Sequence, residues 1–108
     1  MSSEHSTITA MEFNDAIRNS GSDIIIVDVR TRDEFAGESI PTAVNIPLNE
    51  IESRIGIFSQ YEQIYIFCQG GGRSKRTYDL LTSNGIKNVI DLQGGIVAWK
   101  QAGFPTTR

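Results

Sequence analysis

Short apolar runs separated by amphipathic segments make up most of the chain. Residues 24–28 and 64–67 are the clearest runs, and both consist largely of β-branched or aromatic residues. Continuous runs of this length are typical of strands buried on both faces, as in parallel sheets. Residues 88–92 predict a last strand of the same kind, and residues 44–46 predict a shorter one. The pattern therefore predicts strands that alternate with other elements along the chain.

The segments between the runs have the apolar spacing of helices or of short helical turns. Helices or helical turns are predicted over residues 10–19, 31–37, 48–57, 74–84 and 96–101. Two of them begin with a capping box, Thr9 to Glu12 in the first and Thr31 to Glu34 in the second. Met11, Phe13 and Ile17 are expected to form the inward face of the first helix. Strands alternating with helices, without a long polar linker, predict one α/β domain.

The sequence totals exclude several classes of protein. With 108 residues, 39% of them hydrophobic, the chain fits one domain with a single core. A net charge of −3 indicates neither nucleic acid nor a membrane surface as a partner. No apolar run approaches the ~20 residues of a membrane span. The first residues show no export signal, so we expect a cytoplasmic protein, with a flexible tail over residues 1–7 and one domain over residues 8–108.

Cys68, the only cysteine of the chain, stands at the end of the strand predicted over residues 64–67. A single cysteine excludes an internal disulfide, and with one histidine it excludes a Cys/His metal site, so no metal is expected. That histidine, His5, lies in the expected tail and is a poor candidate for a base that activates the thiol. A lone thiol also fits a reducing compartment. The thiol is therefore either activated by the loop around it or an inert buried group.

Three glycines at residues 70–72 and then Arg73 follow soon after the cysteine. Glycine adopts positive φ readily, so the backbone N–H groups of this loop can converge on the Cys68 sulfur. A helix over residues 74–84 would direct the positive end of its dipole at the same sulfur. Thiols at helix N-termini are more acidic than free thiols. The segment therefore predicts a strand, a loop that stabilises a thiolate, and a helix.

The stretch Cys68-Gln69-Gly70-Gly71-Gly72-Arg73-Ser74 resembles the active-site loop of the rhodanese family, whose single-domain members are thiosulfate sulfurtransferases. Further segments agree with the family in order and spacing: Asp28-Val29-Arg30, Glu34-Phe35, residues 40–47, Gly85, residues 92–96 and Ala98-Trp99. Together they cover nearly the whole chain from Ile8 to Pro105. Ser39 departs from the family, in which a histidine, considered structural, commonly stands there. The resemblance implies a three-layer rhodanese-like α/β fold, with a mainly parallel central sheet of about five strands and helices on both faces.

The resemblance also implies that Cys68 is catalytic. It would take a sulfane sulfur from a donor such as thiosulfate, hold it as a persulfide without a further cofactor, and pass it to a thiophilic acceptor. The residues expected to bind the donor are Gln69, Gly70, Gly71, Gly72, Arg73 and Arg30. The loop N–H groups would stabilise the sulfur anion, and the two arginines would neutralise the anionic group of the donor.

Residues beside the loop are expected to support it. Arg30 has a second interpretation, an ion pair with Glu34 that fixes the turn between them. Asp28 is expected to fix that turn or to hold Arg30 rather than to act as an acid or base. Ser74 is expected either to donate its hydroxyl to the loop or, as the favoured alternative, to cap the helix that follows the loop. Asp91 could face the edge of the sheet where the site lies, but it is expected rather to make local hydrogen bonds.

Phosphate chemistry is the main competing interpretation, because protein tyrosine phosphatases also use a thiolate, loop N–H groups and an arginine. Four residues separate Cys68 from Arg73, one fewer than in those phosphatases and in the related arsenate reductases. A phosphoryl group requires a wider ring of N–H donors than a single sulfur atom does. No aspartate is identifiable as the general acid of a phosphatase. The short loop therefore favours sulfur transfer.

A non-catalytic module that binds or regulates a protein partner is the other alternative. Such rhodanese-like modules typically lack the cysteine, which this chain retains. The loop has no basic residue between Cys68 and Arg73, whereas some thiosulfate-using members have at least one. The expected partners are a small anionic sulfur donor, a thiol or cyanide-like acceptor and, as a further candidate, a sulfur-carrier protein. We expect a monomer or a weak homodimer.

Overall fold

The centre of the fold is a parallel sheet of five strands in the order β1-β5-β4-β2-β3. The computed structural model describes residues 5–19, 21 and 23–107. The strands are β1 (Thr7–Ile8), β2 (Ile24–Asp28), β3 (Val44–Asn45), β4 (Gln63–Phe67) and β5 (Val89–Leu92). The expected parallel sheet is confirmed. Its edge strand β1 was not predicted, because two residues are too few to produce an apolar pattern.

The helices of the described residues agree with the predicted order. They are α1 (Ala10–Asn19), α2 (Arg32–Gly37), α3 (Leu48–Ile51), α4 (Ile55–Phe58), α5 (Gly72–Ser83) and α6 (Gly95–Gln101), with a 3-10 turn, Glu52–Arg54, between α3 and α4. Both capping boxes are confirmed. The single helix predicted over residues 48–57 is wrong, because the backbone of Arg54 leaves the helical region at φ −121° and ψ 22°. The longest of these helices, α5, has twelve residues, and no helix of the described residues is both long and apolar enough to span a membrane.

Helices cover both faces of the sheet and enclose two apolar clusters, which confirms the three-layer arrangement. Alternate strand residues face opposite layers. Residues of one cluster include Val27, Ile64, Ile66 and Cys68, which pack with Ile51 and Phe58 of α3 and α4 and with Tyr78 and Leu81 of α5. Residues of the other include Ile26, Tyr65 and Phe67, which pack with Phe13 of α1 and Trp99 of α6. The expectation that Met11 faces inward is wrong, since Met11 is 65% exposed, whereas Phe13 is buried as expected and Ala10 is buried as well.

The first described residues dock on the sheet. Thr7 pairs with Asp91 in the register of β1 and β5, and His5 Nε2 lies 2.7 Å from Asp91 Oδ2. The expected tail over residues 1–7 therefore requires correction for residues 5–7, which belong to the domain. Residues 1–4 of that tail lie outside the described residues. The start of the domain was placed too late, because the backbone pairing of β1 with β5 is not indicated by residue types.

Candidate active site

The carboxyl ends of β2, β4 and β5 meet at one edge of the sheet, as expected for parallel strands. Cys68 directly follows β4, and Arg30 lies two residues after β2. The two segments are hydrogen-bonded neighbours, since Val29 N–H donates to Phe67 O at 3.0 Å. Arg30 Nη1 also lies 3.4 Å from Gln69 Oε1. The expected proximity of Arg30 and the cysteine loop is therefore present.

The sulfur of Cys68 accepts hydrogen bonds from the N-terminus of α5. Gly71 N–H donates to Sγ at 3.0 Å, and Ser74 N–H donates at 3.3 Å. The helix has no side-chain cap of its own, so the sulfur satisfies a donor that an N-cap side chain usually satisfies. These donors and the positive end of the helix dipole favour negative charge on the sulfur. Among the described residues, the other N–H groups of residues 69–73 make no bond to it, so the cradle is narrower than expected.

Gly71 is the loop glycine whose conformation requires glycine. Its φ is 123°, a region that L side chains rarely adopt, and this conformation accompanies the N–H bond to the sulfur. Gly70 and Gly72 have no positive φ, and a Cβ at either position would meet no atom within 4 Å. The convergence that the sequence predicts from three glycines therefore depends on one of them.

Ser74 lies under the sulfur rather than at the end of the helix. The helix begins at Gly72, two residues earlier than predicted, so Ser74 is its third residue. The Cys68 thiol donates to Ser74 Oγ at 3.4 Å, and the Ser74 hydroxyl donates to Gly71 O at 3.2 Å. The favoured expectation that Ser74 caps the helix is therefore wrong, and the alternative that its hydroxyl donates to the loop is confirmed. Its fully buried hydroxyl contacts the thiol instead.

The thiol is covered, although its loop is not. Cys68 is 1% exposed, whereas Gln69, Gly70 and Gly72, which follow it, are exposed. The residues that directly follow the buried thiol are therefore open to solvent.

Arg73 forms an ion pair with Glu34 at the edge of the site. Arg73 Nη1 lies 2.6 Å from Glu34 Oε1, and Nη2 lies 3.1 Å from Oε2. The hydrogen bond from Arg73 is the main reason that the pKa of Glu34 falls to about 2. The same bond raises the pKa of Arg73, with smaller contributions from the charges of Glu34, Cys68 and Asp28. The expected ion pair of Glu34 with Arg30 is therefore wrong.

Arg30 is a buried residue that is held by an acid and a backbone carbonyl near it. It is 3% exposed, its Nε lies 3.0 Å from Asp28 Oδ1, and its Nη2 lies 2.7 Å from Asp28 Oδ2 and 2.6 Å from Glu38 O. Asp28 also accepts the Ser39 hydroxyl at 2.8 Å. The interpretation of Asp28 as the residue that holds Arg30 is confirmed. Contact of Arg30 with a donor stays a prediction.

The N-terminus of α6 fixes the backbone of the cysteine loop. Ile96 N–H donates to Cys68 O at 2.9 Å, and Val97 N–H donates to Gln69 O at 3.2 Å. Gly95 makes this approach possible, because a Cβ there would lie 2.7 Å from the Gln69 carbonyl carbon and still closer to both carbonyl oxygens. The sequence analysis predicted a helix over residues 96–101 but not the contact of its N-terminus with the loop.

Asp91 is a buried acid that the sequence analysis did not connect with the thiol. It is 1% exposed, its Oδ2 contacts His5, and its Oδ1 has no hydrogen-bond partner among the described residues. Burial raises the pKa of Asp91, while Ser74 and His5 oppose that rise. The residue types alone gave no signal of this contact, since the partners are 86 positions apart.

Comparison with known proteins agrees with this geometry. The model of the rhodanese-like domain matches residues 9–102, so the chain belongs to the rhodanese-like domain family. A protein of Allochromatium vinosum named "Sulfurtransferase" is 35% identical over 77% of this chain and 78% of its own length. "Uncharacterized protein slr1261" of Synechocystis is 38% identical over 79% of this chain. "Putative sulfur carrier protein YrkF" of Bacillus subtilis is 35% identical over 75% of this chain. The matches span 48% of slr1261 and 44% of YrkF.

Solved structures share the fold over nearly the whole chain. A rhodanese-like domain protein from Staphylococcus aureus is 35% identical, with a TM-score of 0.81 over 95% of this chain and 99% of that one. A Rhodopseudomonas palustris protein of unknown function, described as "Possible Tyrosine Phosphatase", is 27% identical, with a TM-score of 0.87 over 94% of this chain and 84% of that one.

Proposed function

We propose that the protein is a sulfurtransferase in which Cys68 takes a sulfane sulfur from a donor such as thiosulfate, holds it as a persulfide and passes it to a thiophilic acceptor. The observation that carries this proposal is the pair of N–H bonds from Gly71 and Ser74 to the Cys68 sulfur. They stabilise a thiolate at a helix N-terminus without a histidine beside it. Membership of the rhodanese-like family and similarity to a protein named sulfurtransferase support the proposal.

The proposed reaction uses two displacements at sulfur. The Cys68 thiolate attacks the outer sulfur of thiosulfate, a new S–S bond forms, and the old S–S bond breaks with its electron pair leaving on sulfite. The acceptor then attacks the outer sulfur of the persulfide, and the Cys68 thiolate is released. With cyanide as acceptor the product is thiocyanate. The cysteine persulfide is the sulfur-carrying group, and the proposal requires no other cofactor.

Each neighbouring residue has a stated part in this proposal. The N–H groups that now contact the thiol would stabilise the anionic sulfur in both displacements. Arg73 would neutralise the leaving sulfite in competition with Glu34, while Arg30 would keep Gln69 and the loop in place. A cysteine of a sulfur-carrier protein is a candidate acceptor, since one relative carries that name. The expected cytoplasmic location and oligomeric state stay predictions.

Mass spectrometry of the intact protein tests the proposal. After incubation with thiosulfate or an alkyl persulfide, the protein should gain the mass of one sulfur atom, and a thiol reductant should remove it. Cys68→Ser should gain none and should produce no thiocyanate from cyanide. A protein that stays folded and gains no sulfur from either donor would contradict the proposal.

Two observations favour other functions, a binding module and a phosphatase, and both alternatives can be tested on the same protein. The almost complete burial of Cys68 favours a binding module, and sulfur uptake by that thiol would exclude an inert role. Similarity to the R. palustris protein, described as a possible tyrosine phosphatase, makes phosphatase activity a second alternative function. Against it, Asp28 is bonded to Arg30, and Asp91 is buried and bonded to His5, so neither carboxyl is a candidate for the leaving-group acid. We expect no hydrolysis of p-nitrophenyl phosphate, and Cys68-dependent hydrolysis would reverse this choice.

A further inference from the structure

Asp91 and Cys68 face the same layer of the protein. The register of β4 and β5 pairs Ile66 with Asp91, and Cys68 lies two residues after Ile66. Strand residues two apart share a face of the sheet, so both side chains point toward α5. Ser74 of α5 is in contact with the thiol and close enough to Asp91 to oppose the rise in its pKa. The serine hydroxyl therefore contacts the sulfur, and a buried acid lies on the same face of the sheet as that sulfur.

We propose that Asp91 is a positioning residue that shares one proton with Cys68 through the Ser74 hydroxyl, with His5 connecting Asp91 to solvent. The contacts at the two ends of this path are Cys68 with Ser74 and Asp91 Oδ2 with His5, whose side chain is 25% exposed. Asp91 Oδ1 is buried and has no hydrogen-bond partner among the described residues, so it is available to the Ser74 hydroxyl when that hydroxyl turns. The inference rests on the proposed function, because it assigns the group that receives the proton when Cys68 becomes a nucleophile.

The proton transfer leaves the total charge unchanged. At the start Cys68 is a thiol, Ser74 is a neutral hydroxyl and Asp91 is a carboxylate. The S–H proton passes to Ser74 Oγ, and the hydroxyl proton of Ser74 passes to Asp91 Oδ1. The Ser74 hydroxyl turns from Gly71 O toward Asp91 for this step. The products are a thiolate, a neutral hydroxyl and a neutral carboxylic acid, and no oxidant or reductant takes part.

The buried environment of Cys68 and Asp91 favours one negative charge on the pair rather than two. Both groups are 1% exposed, and two buried anions repel strongly because little solvent screens them. Burial raises the pKa of Asp91, which makes its protonated form accessible. The sulfur, in turn, accepts hydrogen bonds from the N–H groups of Gly71 and Ser74, which would stabilise a thiolate. The charge can therefore reside on either side of Ser74.

Few other ionisable groups face this pair. His5 reaches Asp91 from the segment before β1, and its ring contacts Tyr78 of α5 with ring centres 4.8 Å apart. Arg73 acts on the sulfur side, since the charge of Cys68 contributes to its raised pKa. The remaining charged residues of α5 are exposed and are Lys75, Arg76 and Asp79. Arg73 and, when it is protonated, His5 are thus the positive charges that bias the two positions of the negative charge.

Thiolate absorbance in the ultraviolet tests the proposal, because Cys68 is the only thiol. The absorbance is followed against pH and corrected with Cys68→Ser protein. We expect two steps separated by more than about one pH unit, as for any two strongly interacting acids. Asp91→Asn should leave one step, whereas the exposed control Asp79→Asn should retain two. A single step with the same midpoint in the unmodified protein and in Asp91→Asn would overturn the proposal and leave Asp91 as an anchor for β1.

A reciprocal measurement covers the case in which Asp91→Asn does not fold. The carboxyl carbon of Asp91, followed by NMR, should titrate in two steps in the unmodified protein and in one step in Cys68→Ser, since coupling between two sites is mutual. Identical curves would overturn the proposal. His5→Gln should move the lower step to higher pH, and an unchanged lower step would remove His5 from the path. Neither readout requires sulfur uptake, so failure of the sulfurtransferase proposal would be seen separately by mass spectrometry.

Discussion

Gly71 combines a strained backbone with the closest N–H contact to the sulfur. Gly71→Ala should cost about 1–3 kcal/mol of stability, since alanine disfavours this φ. A rotated peptide would also lose the bond to Sγ, and sulfur uptake should slow by about tenfold or more. Gly70→Ala is the matched control, because its Cβ meets no atom and its φ is not positive. Urea unfolding and timed mass spectrometry measure both effects, and equal behaviour of the two variants would contradict this assignment.

Glu34 neutralises the one arginine of the loop. Glu34→Gln should leave Arg73 free for an anionic donor and raise kcat/KM for thiosulfate by up to about fivefold, because an exposed ion pair is worth ~0.2–1 kcal/mol. Glu50→Gln is the control, since Glu50 pairs with Arg32 and Arg54 rather than with Arg73. Steady-state assays with increasing salt measure the effect. An unchanged or lower kcat/KM would show that Glu34 positions Arg73 rather than competes for it.

Residue types indicated where the candidate site lies better than they indicated its contacts. The sequence singled out Cys68, its glycine loop and Arg73, and the structure places the thiol at the N-terminus of α5, with Arg73 in the first turn of that helix. The partner of Glu34 was wrong, since a neighbour four positions away was chosen over Arg73, which folding brings from 39 positions away. The contact of His5 with Asp91 was missed for the same reason, since the two residues are 86 positions apart. Pairing across the fold depends on register, which side-chain chemistry alone does not specify.

Helix α6 supports the loop through its own N-terminus, so its position controls the site. Gly95→Ala would place a methyl group against the carbonyls of Cys68 and Gln69, at a φ of 63° that already favours glycine. We expect a loss of about 3 kcal/mol or more, together with slower sulfur uptake. Gly56→Ala in α4 is the control, since it meets no atom and should stabilise the protein by up to about 1 kcal/mol. A Gly95→Ala protein as stable and active as the original would contradict the contact.

Element boundaries were predicted well where the signal is local. The capping residue Thr9 led to the observed bounds of α1, and the apolar run of β2 to its five residues. The start of α5 was placed two residues late, because its first donors are satisfied by the sulfur of the preceding segment rather than by a capping side chain. A cap supplied from outside the helix has no signature in the sequence of the helix itself.

At the scale of the whole molecule, the order of elements and the covering of both sheet faces followed from alternating apolar and amphipathic segments. The edge strand β1 did not follow from that pattern, although it brings His5 to Asp91.

The stability of the fold depends on pH through two acids, Glu34 and Asp91, whose pKa values are shifted in opposite directions. Glu34, whose pKa is lowered from 4.5 to about 2, contributes stability above its unfolded pKa, and this contribution is lost as the pH falls toward 2.

Asp91 has the opposite sign, because its folded pKa lies above the unfolded value of 3.8. Its contribution is fully present below pH 3.8 and is lost as the pH rises through the folded pKa. Asp91→Asn should therefore stabilise the fold at neutral pH, by about 1 kcal/mol or more given the unpartnered buried oxygen. The gain should vanish in acid, and urea unfolding over a pH series, with Asp79→Asn as control, measures it. A less stable Asp91→Asn protein at neutral pH would show that the bond to His5 outweighs burial. A more stable protein that ionises its thiol in a single step would show that the buried acid is retained for the reaction at the expense of the fold.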